Sequence, residues 1–181
     1  MPDHLSLARP SRWVERFADL VQPGAKALDL ACGGGRHTRL LAARGVHVTA
    51  VDRDAPAIAA LAGVPGVRAF CADVENGAWP LVDVRFDAIV VTNYLHRALF
   101  PHLRGSLGTG GVLIYETFMV GNERFGKPSN PEFLLRPGEL LELCAGMWIV
   151  AFEQGEIDQP KPAMVQRICA IAPPAAGARI P

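Results

Sequence analysis

Short runs of apolar residues alternate along the chain with segments in which apolar residues recur at helical spacing. In SRWVERFADLV, residues 11–21, a serine stands in N-cap position before Trp13, Phe17 and Leu20, which predicts a leading helix. Five nearly apolar runs follow and predict strands: KALDLA, VHVTAVD, VRAFCAD, FDAIVVTN and GVLIYETF. Helical segments such as RHTRLLAAR stand between most of them. Because such strands are typical of a parallel sheet covered on both faces, we predict a doubly wound α/β fold.

The C-terminal third has a different pattern. RPGELLELCAG, residues 136–146, predicts one helix, and MWIVAFEQG and AMVQRICAIA predict two further strands. The proline-containing linker between these strands is too short for a crossover helix, so they should pair antiparallel. We therefore expect a single domain over residues 1–172, built on a seven-stranded, mostly parallel sheet with an antiparallel final strand. Residues 173–181 have little to bury and are expected to form a frayed tail.

Composition narrows the class of partner. Eighteen basic residues balance eighteen acidic ones among 181, so no excess of positive charge favours nucleic acid as a partner. The sequence shows neither a signal segment nor an apolar run of membrane-spanning length, and we expect a soluble, cytoplasmic protein without a membrane partner. The chain contains four cysteines, Cys32, Cys71, Cys144 and Cys169, and they form no CxxC pair. We therefore expect them to behave as small buried hydrophobic residues in a reducing compartment, and we expect no metal site.

Polar or glycine residues follow each of the first five predicted strands. In chain order they are Cys32 to Gly35, Asp52, Asp73, Asn93 with Tyr94, and Glu116 to Phe118. In an open parallel sheet the ligand binds outside the carboxyl ends of the strands, where these residues should meet. Glycines allow close backbone approach, one carboxylate can hold both ribose hydroxyls, and another can accept from an exocyclic amine. The arrangement suits a nucleoside with an amino-acid tail.

Two other nucleotide sites fit the glycine cluster poorly. A dinucleotide fingerprint needs a glycine three residues after Gly35, and Thr38 stands there. A Walker-type phosphate loop needs Gly-Lys-Ser/Thr after the glycines, which is absent from the sequence. Both a nicotinamide-dependent dehydrogenase and a P-loop enzyme are therefore disfavoured.

At these residues the chain resembles the class I S-adenosylmethionine-dependent methyltransferases, and among them small members such as the tellurite-resistance-type enzymes. The family's first motif is an acid followed by glycines at alternating positions. Asp29, Gly33 and Gly35 match it, while Ala31 stands where the first glycine usually is. The resemblance covers roughly residues 10–172 and implies S-adenosylmethionine as the cofactor, bound in a Rossmann-like methyltransferase fold.

The resemblance also implies roles for individual residues. The acid and glycines of the first motif would line the methionine part of the cofactor, with the alternative that Asp29 is merely a capping or hydrogen-bonding residue at a strand end. Asp52 would hold the ribose hydroxyls. Asp73 would face the adenine amine, with the alternative that it merely caps the turn after its strand, and Asn93 would lie near the sulfonium. The full predicted cofactor set is Asp29, Ala31, Cys32, Gly33, Gly34, Gly35, Asp52, Arg53, Asp73, Val74 and Asn93.

Methyl transfer from a sulfonium is an in-line displacement, so positioning can supply much of the catalysis. A base is needed only where the nucleophile must lose a proton, and His96, Tyr94 and Glu116 are the candidates by position. His37 has no visible partner in the sequence and is expected to be an exposed residue of a first helical turn. By resemblance, TNYL keeps the Asn and aromatic of amine-directed nucleic-acid methyltransferases but lacks their prolines, which speaks against that subclass.

The acceptor should be selected by the long segment 119–139, which has no regular periodicity and follows the fifth strand. As a hypothesis, it closes over the acceptor from its root at Phe118. Phe125 would exclude water, and Arg124 or Arg136 would meet an anionic or electron-rich group. The alternative is an ordered surface loop whose arginines are solvated.

Three functions remain open from the sequence. A small-molecule methyltransferase is favoured. A methyltransferase for RNA or protein usually needs an added domain or a basic surface, and neither is visible in the sequence. A non-catalytic S-adenosylmethionine-binding module, acting as a sensor or partner subunit, fits Asp52 and Asp73 equally well, and turnover distinguishes it from the first.

Overall fold

A computed structural model of the chain describes residues 9–174. Its centre is a seven-stranded sheet with the order β3-β2-β1-β4-β5-β7-β6. The strands are β1 Lys26–Leu30, β2 His47–Asp52, β3 Val67–Cys71, β4 Phe86–Thr92, β5 Leu107–Phe118, β6 Trp148–Ile157 and β7 Ala163–Ile171. Strands β1 to β5 pair in parallel, and β7 pairs antiparallel with both β5 and β6. The predicted fold class, including the antiparallel strand in the C-terminal pair, is confirmed.

The α-helices are short: α1 Arg12–Phe17, α2 Arg36–Ala43, α3 Ala55–Ala59, α4 Phe100–Ser106 and α5 Glu139–Leu143. The helix predicted over residues 136–146 is shorter in the structure, because Gly138 precedes it in the left-handed region and Gly146 follows it there too. Strand β5 begins four residues before the predicted GVLIYETF, at Leu107, which pairs with Phe86 across a register shift.

Alternation along the central strands builds a core on each face of the sheet. Leu28, Ile89 and Leu113 belong to a cluster that also contains buried residues of α4 and α5. Their neighbours in sequence point the other way and pack with α1 and α2. Both faces are covered, which explains why these strands are apolar throughout.

The four cysteines differ in their burial. Three are buried: Cys32, Cys144 and Cys169. The expectation of burial is wrong for Cys71, which is exposed because it ends the edge strand β3.

Within residues 9–174 we find no group of three His, Cys, Asp or Glu side chains placed to hold a metal ion. In the same range, no helix has the length and apolar character needed to cross a membrane. Of the predicted frayed tail, residues 175–181 lie outside the described part of the chain.

Candidate functional site

A cavity of about 870 Å³ opens at the carboxyl ends of strands β1 to β5. Most of the residues that the sequence predicts for the cofactor line it: Ala31, Cys32, Gly33, Asp52, Arg53, Asp73, Val74 and Asn93. The strand ends therefore meet at one edge of the sheet, as the alternation of strands and helices predicts.

The turn between β1 and α2 has an unusual backbone. Ala31, Gly33 and Gly35 all adopt positive φ angles, of 53°, 52° and 74°. Glycine tolerates this region without strain, whereas a residue with a Cβ does not. Ala31 stands where the family usually has glycine, and its backbone nevertheless adopts the left-handed conformation. The turn lets backbone N–H groups approach a ligand closely.

Asp52 ties the end of β2 to this turn. Its Oδ2 accepts from the N–H of Gly33 at 2.8 Å, and its Oδ1 accepts from the N–H of Asp54 at 2.9 Å. A carboxylate oxygen has two acceptor positions, so each oxygen keeps one for a ligand hydroxyl. The geometry is compatible with the predicted role in holding ribose.

Asp73 lies on the exposed rim of the cavity. Its carboxylate accepts from the Nδ2 of Asn76 and the N–H of Glu75, both at 2.9 Å, and these bonds hold its pKa below the ordinary value. Asp73 thus caps the turn after β3 and lines the cavity at once. The two interpretations of this residue from the sequence are compatible.

Three residues of the predicted cofactor set are not among those that line the cavity: Asp29, Gly34 and Gly35. The Asp29 side chain is 1% exposed and accepts from the Thr38 hydroxyl at 2.6 Å, behind the glycine turn. Burial raises the pKa of this carboxyl to about 6, although the bond from Thr38 works in the opposite direction. Asp29 supports the turn by fixing the start of α2.

The structure brings only one of the three candidate bases to the cavity. Tyr94 lines it, but burial and the neighbouring Glu75 raise the pKa of its hydroxyl, which therefore keeps its proton. Glu116 lies outside the lining, where Oε1 accepts from the Ser11 hydroxyl at 2.8 Å and Oε2 lies 2.6 Å from Nε of Arg167. His96 also lies outside the lining, at the start of a 3-10 turn.

His37 was expected to be exposed, and this is wrong, because its side chain is 1% exposed. Its Nε2 accepts from the N–H of Ser11 at 3.0 Å, and its Nδ1 lies 3.4 Å from Oγ1 of Thr92. Burial, helped by the charge of Arg36, lowers its pKa to about 3. Both partners are far from His37 in the chain, so only the spacing of His37 and Leu41 along α2 hinted at a buried position.

Phe118, predicted as the root of the segment 119–139, lines the cavity. The segment itself contributes residues that were not predicted: Lys127, Pro128, Ser129, Asn130 and Phe133. Arg36, Thr92 and Thr117 also line it and were missed from the sequence.

The other three predicted acceptor residues lie away from the cavity. Arg124 pairs with Glu156 and lies 4.6 Å from the centre of the Phe125 ring. Arg136 pairs with Glu142 and lies near the buried Glu139. These residues fit the alternative interpretation, an ordered surface segment. The two arginines are exposed to solvent, and each also pairs with an acidic side chain.

Sequence comparisons agree with this architecture. Residues 27–111 match a family described as a methyltransferase domain. The chain is 35% identical over 108 residues to an uncharacterized methyltransferase of Mycobacterium tuberculosis (strain ATCC 25618 / H37Rv) and to one of Mycobacterium bovis. Each match covers 55% of this chain and 53% of the relative, so the chain spans about half the length of the curated relatives it matches.

Solved structures share the fold at low sequence identity. TehB from Haemophilus influenzae has a TM-score of 0.75 and 19% identity, with 93% of this chain and 64% of that one covered. An S-adenosylmethionine-dependent methyltransferase from Methanosarcina mazei has a TM-score of 0.69 and 16% identity, covering 91% and 98%. Coclaurine N-methyltransferase bound to N-methylheliamine and SAH has a TM-score of 0.68 and 12% identity, covering 87% and 70%. Together with the family match, these likenesses confirm the predicted resemblance.

Proposed function

We propose that the protein transfers a methyl group from S-adenosylmethionine to a small-molecule acceptor, because residues 27–111 match a methyltransferase domain family and the fold is shared with S-adenosylmethionine-dependent methyltransferases. The observation that carries the proposal is the cavity at the carboxyl edge of the sheet, where the glycine turn, Asp52 and Asp73 meet. Its volume of about 870 Å³ is near the upper end for small-molecule sites. It leaves room for a nucleoside cofactor and a small acceptor together.

The residues present suit S-adenosylmethionine. Asp52 offers two free acceptor positions to ribose hydroxyls, and Asp73 can accept from an exocyclic amine. The turn from Ala31 to Gly35 allows close approach of the amino-acid tail. S-adenosylmethionine supplies a methyl group on a positively charged sulfur, which is an excellent leaving group.

The protein contributes to catalysis mainly by positioning the cofactor and the acceptor. Tyr94 keeps its proton, and Glu116 and His96 do not reach the cavity, so none of the candidate bases is suited to take a proton there. The acceptor's lone pair forms the bond to the methyl carbon while the bond from that carbon to sulfur breaks and its electron pair stays on sulfur. Holding the two groups in line accounts for the rate enhancement.

Enclosure and charge support a small acceptor. Phe118 and Phe133 line the cavity together with residues 127–130 of the segment after β5. Equal numbers of basic and acidic residues disfavour a nucleic-acid acceptor. A non-catalytic binding module is the alternative, and it would bind the cofactor without releasing demethylated product when acceptors are added.

The test is calorimetric titration of the purified protein with S-adenosylmethionine, its demethylated product and NAD. We expect the first two to bind and NAD not to bind. The Asp52→Ala variant should bind S-adenosylmethionine about ten- to a hundredfold more weakly, because hydrogen bonds to a carboxylate contribute roughly 1.5 to 3 kcal/mol.

Asp87→Ala is the matched control. Asp87 also accepts from a backbone N–H, that of Lys26 at 2.8 Å, but it lies near the opposite ends of the strands. Unchanged cofactor affinity in a folded Asp52→Ala variant, or equal losses in both variants, would contradict the assignment.

A further inference from the structure

The acidic side chains that line the cavity all lie on one side of it. Its carboxylates come from two segments only, residues 52–54 at the end of β2 and residues 73–75 after β3. In the sheet order, β4 and β5 lie on the other side of β1 from these two strands. The half of the cavity formed by β4, β5 and the segment after β5 has no acidic lining residue within the described chain. We call it the acceptor half.

Lys127 is the cation of the acceptor half. It has no carboxylate within ion-pair distance in the stretch 9–174. Arg36, the other lining cation outside the acidic half, already donates through Nη1 to the carbonyl oxygen of Arg9 at 3.1 Å. Burial lowers the pKa of its guanidinium, while the charges of Glu116 and Asp29 act in the opposite direction. The Lys127 ammonium pairs with no group of residues 9–174, so its charge is the one that a ligand can compensate.

Thr92 adds a hydrogen-bond donor to the same half. The N–H of Ser11 can only donate, so Nε2 of His37 must accept from it and carries no proton. A neutral imidazole then has its proton on Nδ1, which donates to Oγ1 of Thr92 across 3.4 Å. The hydroxyl of Thr92 already receives a hydrogen bond there, and its own proton is free to point into the cavity.

The proton of Thr92 has no acceptor among the described residues. An unmatched donor on a cavity wall is best satisfied by a ligand oxygen. Phe118 and Phe133 supply apolar surface beside it. The acceptor half thus offers a cation, a directed hydroxyl donor and apolar walls.

Resting on the methyl-transfer function above, we propose that the acceptor is a small apolar or aromatic acid whose anionic group pairs with Lys127 and whose oxygen accepts from the Thr92 hydroxyl. An ammonium acceptor would meet a like charge at Lys127 and no carboxylate in this half. Glu75 neighbours the Tyr94 hydroxyl from the acidic half, and Glu116 is already paired with Arg167. The pairing selects acids and rejects amines.

The test uses hydroxylated benzoic, phenylacetic and cinnamic acids, each paired with its own primary amide. In each, the phenol oxygen would form the bond to the methyl carbon while the bond from that carbon to sulfur breaks, and the phenol proton would pass to water. Each compound is titrated into the protein saturated with the demethylated cofactor. Turnover with S-adenosylmethionine is measured separately as the rate at which the demethylated cofactor is formed. Acids should bind about tenfold more tightly than their amides, as expected for a hydrogen-bonded ion pair, and turnover should be confined to the acids.

Two variants with matched controls separate the contributions. Lys127→Met should abolish the preference for acids without changing affinity for the demethylated cofactor, whereas Lys161→Met, also an exposed lysine before a proline, should retain it. Thr92→Val should weaken acid binding about fivefold, and Thr92→Ser should restore it.

The outcomes separate the two proposals. Failure to bind S-adenosylmethionine at all would overturn the methyl-transfer function itself. In a protein that does bind it, the acid-acceptor proposal is overturned if no acid binds, if amides bind equally well, or if the preference survives Lys127→Met.

Discussion

Asp29 supports the glycine turn from a buried position outside the cavity lining. The carboxyl lies buried between β1 and α2, and its pKa of about 6 exceeds the ordinary 3.8. The folded protein therefore holds this proton more tightly than the unfolded chain does. The stability that Asp29 contributes is fully present below about pH 4 and is lost as the pH rises through about 6.

This linkage gives a test with Asp29→Asn, which can still accept from Thr38 and does not ionise. The free energy of unfolding of the wild type should fall relative to that of the variant between about pH 4 and 6. The difference should approach about 3 kcal/mol, because a tenfold change in proton affinity corresponds to about 1.4 kcal/mol. Urea denaturation across this pH range measures it. Asp158→Asn, at an exposed carboxyl, controls for the loss of one negative charge, and an equal pH dependence in both variants would contradict the argument.

At the scale of single residues, the sequence allowed a residue to be located where its position follows from the end of a strand. Asp52, Asp73 and Asn93 could be placed at one edge of the sheet because apolar runs mark where strands stop. Thr92 and His37 could not be found in this way. The orientation of His37 depends on its bond from Ser11, which precedes the leading helix, and Thr92 is affected only through its contact with His37.

At the scale of elements, the contact between the glycine turn and the α3 region constrains the sequence. A Cβ added to Gly35 would lie 2.4 Å from Cδ2 of Leu61, and Leu61 is buried. The backbone at Gly35 also has a φ of 74°. Both the shape of the turn and its packing on Leu61 therefore favour glycine.

Gly35→Ala compared with Gly110→Ala separates these two causes. Gly110 has a similar φ of 70°, but nothing lies within 4 Å of the added Cβ. We expect Gly110→Ala to cost about 1 kcal/mol from backbone strain, and Gly35→Ala to cost about 1–3 kcal/mol more from overpacking. Denaturant unfolding gives both values. Equal losses would show that Leu61 moves aside freely.

Element boundaries were less predictable than the elements themselves. The pattern in RPGELLELCAG fits a helix throughout, yet α5 occupies only Glu139–Leu143 between two glycines with positive φ. In the segment 119–139 the sequence pointed to Arg124 and Phe125, whereas Lys127 and Phe133 line the cavity. Which face of an aperiodic segment meets the cavity depends on long-range contacts, such as the pairing of Met119 with Leu135, that no local pattern encodes.

At the scale of the whole molecule, the cavity joins parts of the chain that are distant in sequence. Its walls come from the turn after β1, the ends of β2 to β5 and the segment up to Phe133. A ligand that contacts all of them binds the folded state and not the unfolded chain. Binding must then stabilise the entire domain by mass action.

The size of that stabilisation can be predicted. At a ligand concentration about a hundredfold above Kd, binding adds about 2.7 kcal/mol, which for a domain of this size corresponds to a rise in Tm of about 5–10 °C. S-adenosylmethionine and its demethylated product should produce this rise in a thermal melt, and NAD should not. Asp52→Ala should rise by only about 1–6 °C at the same concentration, because a Kd that is ten- to a hundredfold higher leaves about 0.4–1.4 kcal/mol of stabilisation. If the variant rises as far as the wild type, Asp52 does not hold the ligand.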